Sequence, residues 1–145
     1  MPIDNEQFSE TLLSHPEVEV ETLSVSHQHF LVFEFRNHFS IQAAEAAVAG
    51  WSEYNETYKR GAIHIWNCRR MSGFDMGAKK IWMNKMKESG DLIDRIILVS
   101  EMTLIRGAAR LMSKFSKHQL DVYKSFSQMS EKEKIDWQTL SESSH

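Results

Sequence analysis

The chain has 145 residues, of which 41% are apolar and 26% charged, with a formal net charge of −3. That length sets one domain burying roughly two-thirds of its unfolded surface, and the charge excludes a global electrostatic drive toward nucleic acid or acidic membranes. The lone Cys68 fits a reducing compartment, the opening MPIDNEQFSETLL has no signal-peptide pattern, and no apolar run reaches the ~20 residues of a membrane span, so a soluble, cytoplasmic protein is expected.

Residues 1–16 read as an N-terminal extension, with room for a short helix over about Asn5–Ser14 before Pro16. Val18, Val20, Leu23 and Val25 then predict a strand with Glu17, Glu19 and Glu21 turned outward and a bulge near Thr22, where the period slips. Phe30–Phe35, β-forming at nearly every position, closes a hairpin with it across the polar break Ser26–His29. Ser40 is placed to cap a first helix whose apolar face runs through Ile41, Ala44, Val48 and Trp51. Lys59, Arg60 and Gly61 supply its C-terminal chemistry.

The stretch Ala62–Lys87 follows. Ile63–Trp66 predicts a strand, Asn67–Ser72 a polar turn carrying Arg69 and Arg70, and Gly73 the opening of a second helix with Phe74, Ala78 and Trp82 at helical spacing. In an open α/β sheet such strand-to-helix junctions are where ligands and partners meet the sheet. Ile93–Val99, apolar on both faces, reads as a central strand. A third helix has Leu104, Ile105, Ala108, Leu111, Met112 and Phe115 inward and Arg106, Arg110, Lys114 and Lys117 outward. Leu120, Val122, Tyr123 and Phe126 form a last strand, and the capping box Ser130–Glu133 opens a terminal helix with Ile135, Trp137 and Leu140, leaving 141–145 frayed. The order β-β-α-β-α-β-α-β-α predicts an α/β domain over 1–145: a mostly parallel central sheet with an antiparallel N-terminal strand and helices packed on it.

That order, with the segment Asn67–Ala78, resembles the STAS fold of sulfate transporters and anti-sigma-factor antagonists, the SpoIIAA-like proteins in particular, over essentially the whole chain. The family pattern has a polar residue on the strand and, eight residues on, Asp-Ser-Ser-Gly opening a helix; Asn67 takes the first place and Asp75, Met76, Gly77 and Ala78 the others. Gly73-Phe74 with Trp82, and Phe126, Glu133 and Trp137 near the end, are similar to the divergent STAS/SEC14-like branch. The resemblance implies a bacterial, non-enzymatic regulatory module that meets a kinase-like or anti-sigma-like partner at the start of the second helix. The departure is Met76, standing where the antagonists carry the serine their kinase phosphorylates. A thioether accepts no phosphoryl group, so that switch is absent or has moved to Ser72.

The expected contact residues are Asp75, Met76 and Gly77, with Arg69, Arg70, Ser72, Phe74 and Lys79 beside them and Trp66 and Trp82 flanking the turn. The competing reading is that Gly73 and Asp75 merely cap the helix while the arginines sit in solvent. A methionine at an exposed helix start suits an apolar partner. The apolar residues of the second helix next to Trp66 also allow a small hydrophobic ligand or lipid, held in a pocket between that helix and the sheet. No cofactor is implied. Among seven histidines only His27 and His29 make a pair, with no further ligands to complete a metal site. Cys68 is either a thiol activated by Arg69 and Arg70 or a buried, inert one. No nucleophile elbow, phosphate-binding loop or paired-carboxylate frame is present.

Overall fold

β-branched and aromatic residues make the N-terminal part of the chain a three-stranded meander. In the computed structural model, which describes residues 7–25, 27–114 and 118–133, β1 (Gln7–His15), β2 (Val18–Val25) and β3 (Gln28–Phe39) pair antiparallel in succession. Crossovers then alternate. α1 (Ile41–Tyr58) leads to β4 (Ala62–Phe74), and α2 (Met76–Glu88) with a 3-10 turn (Gly90–Leu92) leads to β5 (Ile93–Val99). α3 (Thr103–Ser113) leads to β6 (Leu120–Tyr123), and α4 (Phe126–Glu133) follows. One six-stranded sheet results, in the order β1-β2-β3-β4-β5-β6, parallel from β3 onward. This is the expected α/β architecture with one strand more.

The additional strand is β1, where the sequence left room for a helix. Phe8, Leu12 and Leu13 fit neither period cleanly, and the open edge of β2 decides between them by offering a row of unpaired backbone groups. The bulge also sits on β1, between Thr11 and Leu13, while β2 pairs with β3 without a break. What looked like a slip near Thr22 is a change of face. Val18 and Val20 pack under the helices, whereas Leu23 joins Phe30, Val32 and Ile65 on the other side of the sheet. Glu21, expected to point into solvent, is buried.

Other boundaries shift for identifiable reasons. α1 ends at Tyr58 with Lys59 itself in the left-handed region (φ 51°), so no basic residue occupies the last turn. β6 stops at Tyr123, and Phe126, expected in that strand, begins α4 instead. Ser125 Oγ accepts the Gln128 N–H, which places the start of α4 well before the expected capping box at Ser130. Phe115, Lys117, Ile135, Trp137, Leu140 and residues 141–145 lie outside the described residues.

The main core lies between α1–α3 and one face of the sheet. Alanines 43, 44 and 47 bring α1 close to the strands. Trp82 of α2 is the hub, with ring centroids 5.1 Å from Phe33, 5.5 Å from Phe35, 5.2 Å from Trp51 and 5.6 Å from Trp66. On the opposite face Phe126 and Met129 of α4 cover Ile97 and Val99 of β5, the strand read as apolar on both sides. Arg95 ties that layer down through Glu133 (2.6 Å) and Asp121.

Candidate functional site

α1, α2 and α3 all start where parallel strands end, so three helix N-termini share one edge of the sheet. The junction into α2 differs from the sequence expectation. Residues 67–72 do not turn; they continue β4 for its full 13 residues. β3 runs on to Phe39 and supplies the ladder, pairing Arg36 with Arg70, His38 with Gly73 and Phe39 with Phe74. α2 therefore opens at Met76, with Asp75 as its N-cap residue, and not at Gly73.

Asp75 makes no side-chain cap to its own helix. Its Oδ1 lies 2.6 Å from His38 Nε2, and its Oδ2 accepts the Ile41 N–H at 3.3 Å. The carboxylate thus serves the start of α1. The hydrogen bond from His38 is the main cause of a lowered Asp75 pKa. Ser40 Oγ caps α1 by accepting the Ala43 N–H at 3.1 Å, as expected, and Glu17 Oε1 accepts from both Ser40 N–H (3.0 Å) and Ser40 Oγ–H (2.7 Å). Those bonds hold the Glu17 pKa down.

Met76 is left 72% exposed at the first position of α2. Ile41, expected on the buried face of α1, is instead 44% exposed and lies over Gly77, where an added Cβ would come within 2.7 Å of Ile41 Cδ1. Glycine is what lets the two helix starts approach. Leu104 and Leu111 of α3, also expected inside, are exposed. The buried stripe of α3 is Ile105, Ala109 and Met112. Leu104, Ala108 and Leu111 form a second apolar stripe beside it, so the helix is apolar over a wider arc than the core covers.

Between α2, α3 and the sheet lies an apolar cavity of about 70 Å³. Its floor is Phe35, Trp66, Cys68 and Leu98; Phe74, Lys79 and Trp82 wall it on one side and Ile105, Ala108 and Ala109 on the other. The Trp66 indole N–H is buried and has no hydrogen-bond partner among the described residues.

The expected site residues are thereby divided. Trp66, Phe74, Lys79 and Trp82 meet at the cavity, and Asp75, Met76 and Gly77 lie at the adjoining helix start. Arg69 and Arg70 both lie on the other face of the sheet: alternation along β4 puts Arg69 there, and the register shift against β3 between Asn67 and Arg70 adds its neighbour. Arg69 stacks on Phe126 of α4 at 4.4 Å and bonds Asn67 Oδ1, while Arg70 faces Glu34 at 3.9 Å. Ser72 is exposed on β4. Trp51 is core. Cys68 is fully buried, and desolvation pushes its thiol pKa up, against activation by the arginines. Among the described residues no group of three or more His, Cys, Asp or Glu side chains could hold a metal ion, and no helix is long and apolar enough to cross a membrane. His38, Ile41, Leu104 and Ala108 were not read as part of this surface. Each belongs to it through contacts between separate elements, which local spacing does not encode.

No family model and no curated protein matches the chain. Of the four solved chains that resemble it in fold, two are instructive. One is an uncharacterized protein with a SpoIIAA-like fold from Shewanella loihica PV-4, with TM-score 0.65 and 11% identity over 78% of this chain and 92% of that one. The other is the anti-sigma factor antagonist SpoIIAA in its unphosphorylated form, with TM-score 0.52 and 15% identity over 88% of this chain and all of that one. The chain has a SpoIIAA-like fold.

Proposed function

We propose that this SpoIIAA-like domain is a non-enzymatic regulatory module that docks a partner protein on the sheet edge where α1, α2 and α3 begin. The observation that carries the reading is Met76, a large apolar side chain 72% exposed at a helix start that no side chain caps. Ile41 and Leu104 extend the apolar surface on either side. A flexible thioether flanked by aliphatic groups suits a protein contact. The likeness to an anti-sigma factor antagonist supports a partner of the kinase-like or anti-sigma-like kind. With methionine at position 76, phosphorylation there does not regulate docking; Ser72, exposed on β4 four residues upstream, is the hydroxyl nearest in sequence for such a switch.

The test is affinity capture with the wild-type domain and with Met76→Asp, each checked by circular dichroism. A protein retained by the folded wild type and lost by the equally folded variant supports the reading. Equal retention by both moves the contact elsewhere.

A second reading, a carrier of a small apolar ligand, rests on the cavity lined by Trp66 and Trp82. At about 70 Å³ it is under half of the ~150 Å³ in which an apolar cavity takes up benzene. An excess mass in native mass spectrometry that disappears on denaturation would favour the carrier.

A further inference from the structure

α3 carries an apolar face that the described residues do not cover. Leu104 and Leu111 are 66% and 47% exposed. Two turns apart, they stand almost in line along the helix, with Gly107 and Ala108 between them. A Cβ at Gly107 would meet nothing within 4 Å, so no contact among the described residues calls for glycine there. Of all residues except proline, glycine is the least favourable in a helix interior, and it is found where another backbone comes close. Arg106 and Arg110 lie on the opposite flank, where Arg106 Nη1 donates to the Ser100 carbonyl at 3.1 Å. The charged residues that bracket the stripe are Glu101 just before the helix and Lys114 at its end, both exposed.

We propose that this stripe is the contact of a two-fold homodimer, in which α3 of one copy packs antiparallel on α3 of a second copy and crosses it at Gly107 and Ala108. One register makes the helix complementary to itself. With the two-fold axis between positions 107 and 108, Leu104 meets the partner's Leu111, Gly107 meets the partner's Ala108, and Glu101 comes level with the partner's Lys114. Symmetry repeats each pairing on the other side of the axis, as an isologous contact requires. Glycine and alanine at the crossing let the two helices approach closely, and the leucines on either side close the contact. The end charges select the antiparallel direction, because a parallel pair would set Glu101 against Glu101 and Lys114 against Lys114. Arg106 and Arg110 stay outside the contact. Lys79, on the cavity wall with Ala108, lies toward the carbonyl end of the partner helix, which favours a cation. This self-contact goes beyond the partner-docking reading and shares only Leu104 with it; Met76 and Ile41 take no part.

The experiment is sedimentation velocity of the whole chain over a micromolar concentration series, with every variant checked by circular dichroism. The wild type should approach twice its 16.9 kDa mass as concentration rises. Leu111→Glu should weaken the dimer about ten-fold or more. Gly107→Leu should do the same by holding the helices apart, and its position is open enough that the single copy folds unchanged; it carries the test should Leu111→Glu fail to fold. Glu101→Lys alone should weaken the dimer several-fold, and Glu101→Lys/Lys114→Glu should restore it. A monomer at every concentration, a dimer indifferent to Leu111→Glu and Gly107→Leu, or no rescue by the charge exchange overturns the proposal. A monomer that co-sediments with phosphatidylglycerol vesicles, and ceases to with Leu111→Glu, overturns it and makes a membrane the occupant. Met76→Asp should leave the dimer intact while abolishing partner capture, so either reading can fail without the other; a dimer lost with Met76→Asp places the self-contact at the sheet edge and overturns the α3 pairing.

Discussion

α1 and α2 begin side by side at the same edge of the sheet and are finished in opposite ways. α1 is held by Ser40 Oγ on Ala43, by Glu17 gripping Ser40, and by Asp75 reaching across to the Ile41 N–H. α2 has given its own N-cap carboxylate to that neighbour and carries an exposed methionine at its first position, with Lys79 and Lys80 about one turn on. A helix start whose N–H donors receive no side-chain cap forgoes roughly 1 kcal/mol that a good cap supplies. α2 tolerates this because its stability comes from Trp82, deep among Phe33, Phe35, Trp51 and Trp66. Where packing anchors a helix in its middle, its end is left available for contact.

The largest effect expected from this contrast is at the anchor. Trp82→Ala should cost about 3–5 kcal/mol in denaturant unfolding. A loss below about 1 kcal/mol would mean that α2 is held at its ends, and the comparison would fail.

Acid should act next, through His64, which sits beneath both helices with Trp51 4.7 Å away. Burial lowers its pKa from 6.5 to about 3, so the unfolded chain takes up a proton first and stability falls as pH drops from 6.5 toward 3, by up to about 1.4 kcal/mol per pH unit. Glu21 works the other way. Burial raises its pKa from 4.5 to about 7, the folded state protonates first, and stability rises as pH drops from 7 to 4.5. The two nearly offset each other between pH 6.5 and 4.5, and the net decline begins below 4.5. Glu21→Gln removes the compensation, so in urea titrations its stability should fall from pH 6.5 downward; an unchanged profile would show that Glu21 is not protonated in the folded state.

At the helix starts, Ser40→Ala should cost about 1 kcal/mol. Asp75→Ala should speed amide exchange at Ile41, in α1, with α2 amides unaffected. Faster exchange in α2 instead would return Asp75 to its own helix. The smallest effect carries the opposite sign. Met76→Asp adds an acid to the first turn of α2 and should stabilise the domain by about 0.3–1 kcal/mol while abolishing docking. Destabilisation would show that Met76 contributes to packing, contrary to its exposure.

The periodicities of the sequence determined the elements that propagate by local rules. The hairpin strands, the Ser40 cap with the alanine-rich helix behind it, the apolar run of β5 and the alternation that makes an α/β sheet were all legible, because side-chain period and capping act within one element. Part of the candidate surface was legible for the same reason: Asp75, Met76 and Gly77 mark a helix start, and Trp66 and Trp82 are aromatic residues near it.

Tertiary structure decided what depended on a distant neighbour. Residues 67–74 are polar enough to turn, yet they are strand because β3 extends far enough to pair with them. That extension moves Arg69 and Arg70 to the face opposite Met76. Gln7–His15 is strand because β2 has a free edge. Asp75 caps α1 because the start of α1 lies within reach and Gly77 leaves room for Ile41. Leu104 and Leu111 are exposed because α3 is apolar over a wider arc than the sheet beneath it can cover. Hydrogen-bond pairing and burial are properties of two surfaces at once, and a single chain read in order supplies one surface at a time.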